Sequence, residues 1–266
     1  MEGQIVKIIS NDYFVKTNNK EYICKARGKF RQENITPKVG DFCLFDEKEK
    51  VIKEIRPRKN TLSRPLVSNI DQAFIVTSLK SPDFSSNLLD KLICICTLNN
   101  IEPIICLTKK DLLDKNEYKD LKKVINYYKK LGIKVVYNKN INKIKKLLKH
   151  KTTVFTGQTG AGKSSLMNKL DKNLNFETNE ISKALGRGKH TTRIVSLVEI
   201  NKGKVLDTPG FSDIDLSVYK KEDIRDSFKE FKNKCKYTNC MHINEKECVV
   251  KELVNKNIIL KSRYEN

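Results

Sequence analysis

No run of about 18 apolar residues occurs in this sequence, so no transmembrane helix is predicted. The opening residues MEGQIVKIISNDYF lack both the basic start and the apolar run of a signal peptide. An internal repeat is also missing. These absences predict a soluble, cytoplasmic protein without a membrane partner, and we expect it to be a monomer.

Acidic residues are scarce relative to basic ones. The 32 Asp and Glu residues stand against 53 Lys and Arg residues, which gives a formal net charge of +21. This balance suits a polyanionic partner such as RNA or a ribonucleoprotein. Lysine is also frequent in proteins from AT-rich genomes, so the prediction of RNA contact depends on the architecture as well as on the charge.

The eight cysteines of a cytoplasmic chain lie in a reducing compartment, where a cluster indicates a metal more often than disulfides. Three of them form a set with one histidine, spaced Cys235-x4-Cys240-x-His242-x5-Cys248. Tetrahedral Zn²⁺ accepts such a Cys3His set, and four protein ligands predict one structural ion that supplies folding energy. The remaining cysteines lie in apolar runs and are interpreted as ordinary buried residues: Cys24, Cys43, Cys94, Cys96 and Cys106.

Residues 1–60 are rich in short alternating or β-branched runs separated by turn residues. About five strands are predicted, which suits an all-β barrel of the oligonucleotide-binding (OB) type: Ile5–Ile9, Tyr13–Lys16, Tyr22–Lys25, Val39–Phe45 and Val51–Ile55. Basic side chains between strands either meet phosphates or face solvent: Arg27, Lys29 and Arg31. Residues 56–60, Arg-Pro-Arg-Lys-Asn, have the composition of a linker.

Residues 61–215 alternate apolar strand patterns with helical patterns, which predicts a parallel sheet with helical crossovers. Residues 216–266 are polar, Lys-rich and contain the Cys/His cluster, and we expect a mostly helical zinc-binding domain there. The predicted fold class is therefore multidomain, with an N-terminal barrel, a central α/β domain and a C-terminal zinc domain.

A phosphate-binding loop of the form G-x-x-x-x-G-K-[ST] follows the predicted strand Thr152–Thr156 and opens the predicted helix Lys163–Leu170. Its backbone N–H groups and the helix N-terminus can surround phosphate oxygens. Lys163 is expected to reach the β- and γ-phosphates, and the Ser164 hydroxyl to ligate Mg²⁺. The nucleotide-binding candidates of this segment are Gly157, Gln158, Thr159, Gly160, Ala161, Gly162, Lys163, Ser164 and Ser165.

Two further segments complete the phosphate chemistry. Asp207-Thr208-Pro209-Gly210 follows a short predicted strand, where an Asp can hold the Mg²⁺ shell and the Gly210 amide can sense the γ-phosphate. The segment Gly186–Arg193 is basic and contains two glycines that disfavour a helix, so it is predicted to be a loop. A Thr hydroxyl in it can complete the Mg²⁺ coordination while the γ-phosphate is present, and Thr192 is favoured over Thr191 for this ligand.

A base-reading segment, Thr108-Lys109-Lys110-Asp111, follows the predicted strand Pro103–Leu107. A carboxylate accepts from N1–H and the 2-amino group of guanine, and adenine leaves it unpaired, which penalises ATP. The stem of Lys109 can pack on the base. The position of this segment at the C-terminal end of a predicted strand supports the assignment more strongly than the sequence of the tetrapeptide does. Asp111 precedes Gly157 in the chain, whereas ordinary GTPases have the opposite order, so a circular permutation is predicted.

The ordered set of motifs resembles the circularly permuted, ribosome small subunit-dependent GTPases of the RsgA (YjeQ) family. The segments Asn60–Pro65 and Asn69–Gln72 are also similar to that family's entry into its GTPase domain. The resemblance covers essentially the whole chain. It implies an OB barrel, a permuted GTPase domain and a zinc domain. It also implies late maturation of the small (30S) ribosomal subunit, contact with its 16S rRNA, and hydrolysis of GTP to GDP that the subunit stimulates.

Hydrolysis needs a group that orients the attacking water, and many GTPases place a Gln just after the DxxG motif. Phe211 stands there and cannot hydrogen-bond water, so slow intrinsic hydrolysis is predicted. His190 is the best alternative for orienting the water, and the family resemblance agrees with that role. In the other interpretation, His190 only contacts RNA phosphate or solvent. The usual Ser-Ala-Lys loop is missing. Val136-Tyr137-Asn138 occupies its place, which leaves the contact to guanine O6 unassigned.

Two other function classes stay open from the sequence. A non-enzymatic RNA-binding assembly factor with a relic nucleotide site needs only the barrel, the zinc cluster and the charge. The intact Lys163, Ser164 and Asp207 argue against such decay. An ATP-using kinase needs a substrate pocket for which the sequence gives no sign.

Overall fold

The computed structural model describes residues 1–18, 20–62, 66–171, 195–207, 215–232 and 235–266. The chain divides into two compact units, each assembled from separate stretches. The first contains residues 1–73, 141–156 and the described part of 164–212, and the second contains 74–140, 157–163 and the described part of 213–266. Among the described residues, no helix has the length and apolar character needed to cross a bilayer.

Five short strands near the N-terminus close into a barrel: β1 (Glu2–Ile9), β2 (Asp12–Lys16), β3 (Glu21–Ala26), β4 (Phe42–Asp46) and β5 (Val51–Ile55). Neighbours pair in the order β1-β2-β3-β5-β4, and β4 pairs back with β1. The inward side chains Ile5, Val15, Cys24, Cys43 and Ile52 are fully buried and form its core. The predicted five-stranded barrel is therefore confirmed.

Two local features of the barrel differ from the prediction. The strand expected from Val39 begins at Phe42, because Gly40 adopts φ +99° and lies against the Ser68 backbone, where an added Cβ would be 2.1 Å from the carbonyl oxygen. A short helix, α1 (Lys29–Gln32), separates β3 from β4. The Lys29 ammonium lies 3.0 Å from the Glu33 carboxylate, so this basic side chain already has an acidic neighbour.

The stretch predicted as a linker is firmly held within the first unit. Arg58 forms a bidentate ion pair with the fully buried carboxylate of Asp41, at 2.7 and 2.8 Å. The Ser68 hydroxyl donates to the same carboxylate at 2.6 Å. A hairpin of β6 (Thr61–Leu62) and β7 (Val67–Ser68) follows. In the sequence these charged side chains suggest a solvated linker. In the structure they anchor this stretch to the barrel.

The second unit contains the strands and helices that carry the base-reading segment. Their order is β8 (Gln72–Ser78, of which Gln72 and Ala73 belong to the first unit), α2 (Ser86–Leu98), β9 (Glu102–Thr108), α3 (Lys115–Lys130) and β10 (Lys134–Tyr137). Every residue of β8 is buried. Helix α3 begins at Lys115, because Asp114 and Glu117 form a capping box before its first turn. Strands β9 and β10 pair in parallel.

The chain then adds α4 (Ile141–Leu148), β11 (Thr152–Gly157), α5 (Lys163–Leu170), β12 (Ser196–Ile200) and β13 (Gly203–Asp207). In the first unit β11 pairs in parallel with β13, and β13 pairs antiparallel with β12. Strand β12 also pairs with β1 of the barrel, where Ser196 lies opposite Lys7. This unit therefore joins the barrel to the strand that leads into the phosphate loop.

The described C-terminal residues of the second unit include three short helices, α6 (Lys221–Ser227), α7 (Val249–Asn255) and α8 (Lys261–Glu265). A buried ion cluster fixes them to α2. The Arg263 guanidinium donates to Asp90 at 2.6 Å and to Glu230 at 2.7 Å. Tyr128 and Asn266 also donate to the Asp90 carboxylate, each at 2.6 Å. Charges buried this deeply are tolerated because each has opposite-charge and hydrogen-bonding partners.

Candidate nucleotide site and metal centre

The phosphate loop joins β11 to α5 through three glycines with positive φ. Gly157, Gly160 and Gly162 have φ values of +130°, +79° and +93°, a region that side-chain-bearing residues rarely adopt. At Gly157 an added Cβ would lie 2.1 Å from the Val76 carbonyl oxygen. The motif glycines therefore serve the backbone path, and Gly157 also allows a close approach to β8.

Lys163 folds its side chain back over this loop. Its ammonium donates to the carbonyl oxygens of Gly157, at 2.7 Å, and Gln158, at 2.9 Å. Burial lowers the pKa of Lys163, because the charged form loses hydration. A phosphate anion beside the ammonium would favour the charged form, so the position suits phosphate binding. Ser164 and the exposed Ser165 lie in the first turn of α5, and the exposed Thr159 lies in the loop.

Thr108 joins the base-reading segment to the phosphate loop. Its buried hydroxyl donates to the Ala161 carbonyl oxygen at 2.7 Å, across 53 positions of sequence. The Thr108 carbonyl accepts from the Leu79 N–H at 3.2 Å. The two motifs that the sequence separates are therefore adjacent within the second unit, as one nucleotide-binding site requires.

The rest of the base-reading segment forms a tight turn at the end of β9. Lys109 adopts φ +55°, and its ammonium donates to the Ser81 carbonyl oxygen. A single 3-10 turn follows over Lys110–Leu112 and contains Asp111. The Asp111 side chain is 58% exposed, and the Lys139 ammonium lies 3.5 Å from its carboxylate. An accessible carboxylate at this position can accept hydrogen bonds from a base.

Three contacts around this turn are not evident from the sequence. The Lys110 ammonium lies over the rings of Tyr118 and Tyr137, Lys139 approaches Asp111, and Lys80 pairs with Glu117 at 2.8 Å. Tyr118 belongs to an amphipathic helix pattern, and no motif marks it. Tyr137 falls in the position of the missing Ser-Ala-Lys loop, which is the one sequence signal for it.

Several predicted site residues lie outside the described part of the chain: Thr191, Thr192, His190, Gly210 and Phe211, with the whole of Gly186–Arg193. Asp207 ends β13, and its backbone lies opposite Ser196. The roles of these residues stay predictions.

The four residues of the Cys/His set converge in the C-terminal part of the second unit. Their ligand atoms all lie within 4.8 Å of one another. The His242 Nδ1 atom is 3.3 Å from the Cys248 Sγ and 3.6 Å from the Cys235 Sγ, and these two sulfurs are 3.9 Å apart. Tetrahedral coordination at ordinary Zn–S and Zn–N lengths separates ligand atoms by about 3.5–3.8 Å. The set, completed by Cys240, therefore fits one metal ion.

The surroundings of this cluster fix its loop. The Glu245 carboxylate accepts from the N–H groups of Met241, at 2.6 Å, and Ile243, at 2.9 Å. The Tyr264 hydroxyl donates to the His242 carbonyl oxygen at 2.5 Å. Burial lowers the pKa of His242, which favours the neutral imidazole that a metal requires. A bound metal would add to the folding energy that the apolar cluster around the ligands supplies.

Comparisons with known proteins agree along the whole chain. The RsgA N-terminal domain family matches residues 2–51, and the RsgA GTPase family matches residues 55–217. The small ribosomal subunit biogenesis GTPase RsgA 2 of Oceanobacillus iheyensis is 45% identical, with 99% of this chain and 94% of the relative covered. The small ribosomal subunit biogenesis GTPase RsgA of Clostridium novyi is also 45% identical, with 100% and 94% covered.

Solved structures give the same result. A circularly permuted GTPase, YloQ, is 34% identical with a TM-score of 0.84, and the match covers 99% of this chain and 91% of YloQ. YjeQ from Thermotoga maritima is 33% identical with a TM-score of 0.87, covering 99% and 94% of the two chains. Together with the order of the motifs, these matches show that the chain belongs to the RsgA family of circularly permuted GTPases.

Proposed function

We propose that this protein hydrolyses GTP to GDP and phosphate during late maturation of the small ribosomal subunit, and that the subunit stimulates hydrolysis. The observation that carries the proposal is the hydrogen bond from Thr108 to Ala161, which brings the base-reading turn and the phosphate loop together. The names of the full-length relatives identify the process as small-subunit biogenesis.

The proposed nucleotide site uses Asp111 for guanine, Lys109 for the face of the base, and Lys163 for the β- and γ-phosphates. Loop amides surround the phosphates, and the remaining contacts are assigned to Thr108, Gly157, Gln158, Thr159, Gly160, Ala161, Gly162, Ser164, Ser165, Asp207 and Gly210. Lys110 belongs to the same base-reading segment, where it precedes Asp111. Bound Mg²⁺ would neutralise charge on the phosphates, and the hydroxyls of Ser164 and Thr192 are proposed to hold it. His190 is proposed to orient the attacking water.

The proposed domains are the OB barrel (1–60), the permuted GTPase domain (61–215) and the zinc domain (216–266). The metal of the Cys3His set is proposed to be a single structural Zn²⁺, because thiolate and imidazole ligands suit it. The net charge of +21 supports contact with 16S rRNA through the barrel and the zinc domain. We further assign the protein to the cytoplasm as a monomer.

The relic-site alternative is tested by comparing wild-type protein with Lys163→Ala in two assays. The proposal predicts that Lys163→Ala abolishes GTP hydrolysis and fails to restore small-subunit maturation in cells lacking the protein. Normal maturation with Lys163→Ala would show instead that the barrel and zinc domain suffice and that the nucleotide site is a relic.

A further inference from the structure

The side chain of Lys110 lies on two tyrosine rings beside the base-reading turn. Its ammonium is 4.0 Å from the ring centroid of Tyr118 and 5.5 Å from that of Tyr137. A cation over an aromatic face is attracted by the negative π surface. Lys110 is therefore held by protein groups immediately before Asp111, although the sequence pattern groups it with the nucleotide-binding residues.

The two tyrosines come from different elements and are joined to each other. Tyr118 lies in the first turn of α3, and Tyr137 is the last residue of β10. Their hydroxyl oxygens are 3.0 Å apart. Burial raises the pKa of Tyr137, and the hydrogen bond with Tyr137 lowers the pKa of Tyr118. Lys110 thus contacts a paired surface built on one helix and one strand.

The backbone geometry connects this contact to the direction of Asp111. Lys109 adopts φ +55°, and the 3-10 turn after it closes with hydrogen bonds of 3.2 Å from Leu112 N–H to the Lys109 carbonyl and from Leu113 N–H to the Lys110 carbonyl. Asp111 is in the middle of this turn and is exposed. Anchoring the preceding side chain restricts rotation of the turn, and therefore of the carboxylate.

We infer that Lys110, Tyr118 and Tyr137 are positioning residues that orient Asp111 toward the guanine base, and that none of the three contacts the nucleotide. The inference deepens the proposed function and rests on it, because it assumes that Asp111 reads guanine. It assigns to Lys110 a role different from that of a nucleotide ligand.

The test compares the dissociation constants of GDP and inosine diphosphate (IDP) by calorimetry. Inosine lacks the 2-amino group of guanine and should bind more weakly. The dissociation constant of IDP divided by that of GDP therefore reports how well the Asp111 carboxylate accepts from that group. Lys110→Met should reduce this ratio about threefold, the size expected for an exposed cation–π contact. Lys110→Arg should restore it, because a guanidinium also lies well on aromatic faces. Tyr118→Leu should reduce the ratio like Lys110→Met.

Lys119→Met is the matched control, because Lys119 is an exposed lysine next to Tyr118 on the same helix. It should leave the ratio unchanged. The inference is overturned if Lys110→Met keeps the wild-type ratio, or if it weakens GDP and IDP equally, which would indicate a direct contact with phosphate or ribose. A wild-type protein that binds GDP and IDP equally would instead contradict the proposed guanine site, which separates the two failures.

Discussion

At the residue scale, Thr108 shows what sequence reasoning can and cannot establish. Its place after an apolar strand predicts that it belongs to a base-reading turn. Its partner, the Ala161 carbonyl oxygen, is 53 positions away, and no spacing rule points to that bond. Lys163 was predictable for the opposite reason, because glycines, lysine and serine at fixed offsets define the phosphate loop locally.

Replacing Thr108 tests the link between the two motifs. Thr108→Val keeps the shape of the side chain but removes the buried hydroxyl donor. The Ala161 carbonyl oxygen then loses this hydrogen bond, which destabilises the site by about 1–3 kcal/mol. We expect GDP binding to weaken by about tenfold in a fluorescence titration. Thr108→Ser, which retains a hydroxyl, should bind nearly as well as wild type. Equal affinity of the Val and wild-type proteins would show that the hydrogen bond does not support the site.

The pH dependence of GDP binding tests the role of Lys163. Burial lowers the pKa of this ammonium in the free protein, and a bound phosphate raises it again. Below the lowered pKa the lysine is already charged and affinity is full. Above the lowered pKa, binding must be accompanied by uptake of a proton, so the affinity should fall as the pH rises through that pKa. In Lys163→Met this part of the pH dependence should disappear; its persistence there would assign it to another group.

At the scale of elements, alternating hydrophobicity and turn residues were sufficient to predict the strands of the barrel. The alternation in the barrel appears in the structure nearly as predicted. The hairpin of β6 and β7 was missed because each strand has two residues. The buried pair of Arg58 and Asp41 was also missed, because a charged side chain in a Pro-containing stretch looks solvated until its partner is known.

The C-terminal helix α8 depends on a buried charge cluster, and Arg263→Met tests it. The substitution leaves the carboxylates of Asp90 and Glu230 buried without their cation, a change that costs about 3–5 kcal/mol. We expect a correspondingly lower free energy of unfolding in urea. Lys261→Met, which removes a side chain that is 77% exposed, should have little effect. Similar stability of both variants would show that the cluster is not needed.

Metal removal tests the Cys3His set. With zinc bound, the thiols of Cys235, Cys240 and Cys248 should be protected from a thiol reagent, and one zinc per chain should be found by metal analysis. Chelation should expose all three thiols and make the segment around residues 235–248 sensitive to protease. Cys248→Ala should reproduce that sensitivity without a chelator. A metal-free native protein with the same protease resistance would contradict a structural ion.

At the scale of the whole molecule, the order of motifs was the most informative feature of the sequence. Asp111 before Gly157, and Gly157 before Asp207, predicts a permuted GTPase, and the relatives and solved structures confirm that family. The contacts along α2 were beyond prediction, since they join residues as far apart as Asp90 and Arg263. Long-range charge pairing depends on packing that a single sequence does not specify.

The central claim is that a partner controls GTP hydrolysis in this protein. The most direct test measures GTP and ATP hydrolysis by the purified protein, with and without small ribosomal subunits. We expect slow hydrolysis of GTP by the protein alone, strong stimulation by the subunits, and no comparable stimulation with ATP. Equal, unstimulated rates with the two nucleotides would contradict both the guanine-reading site and the subunit as partner.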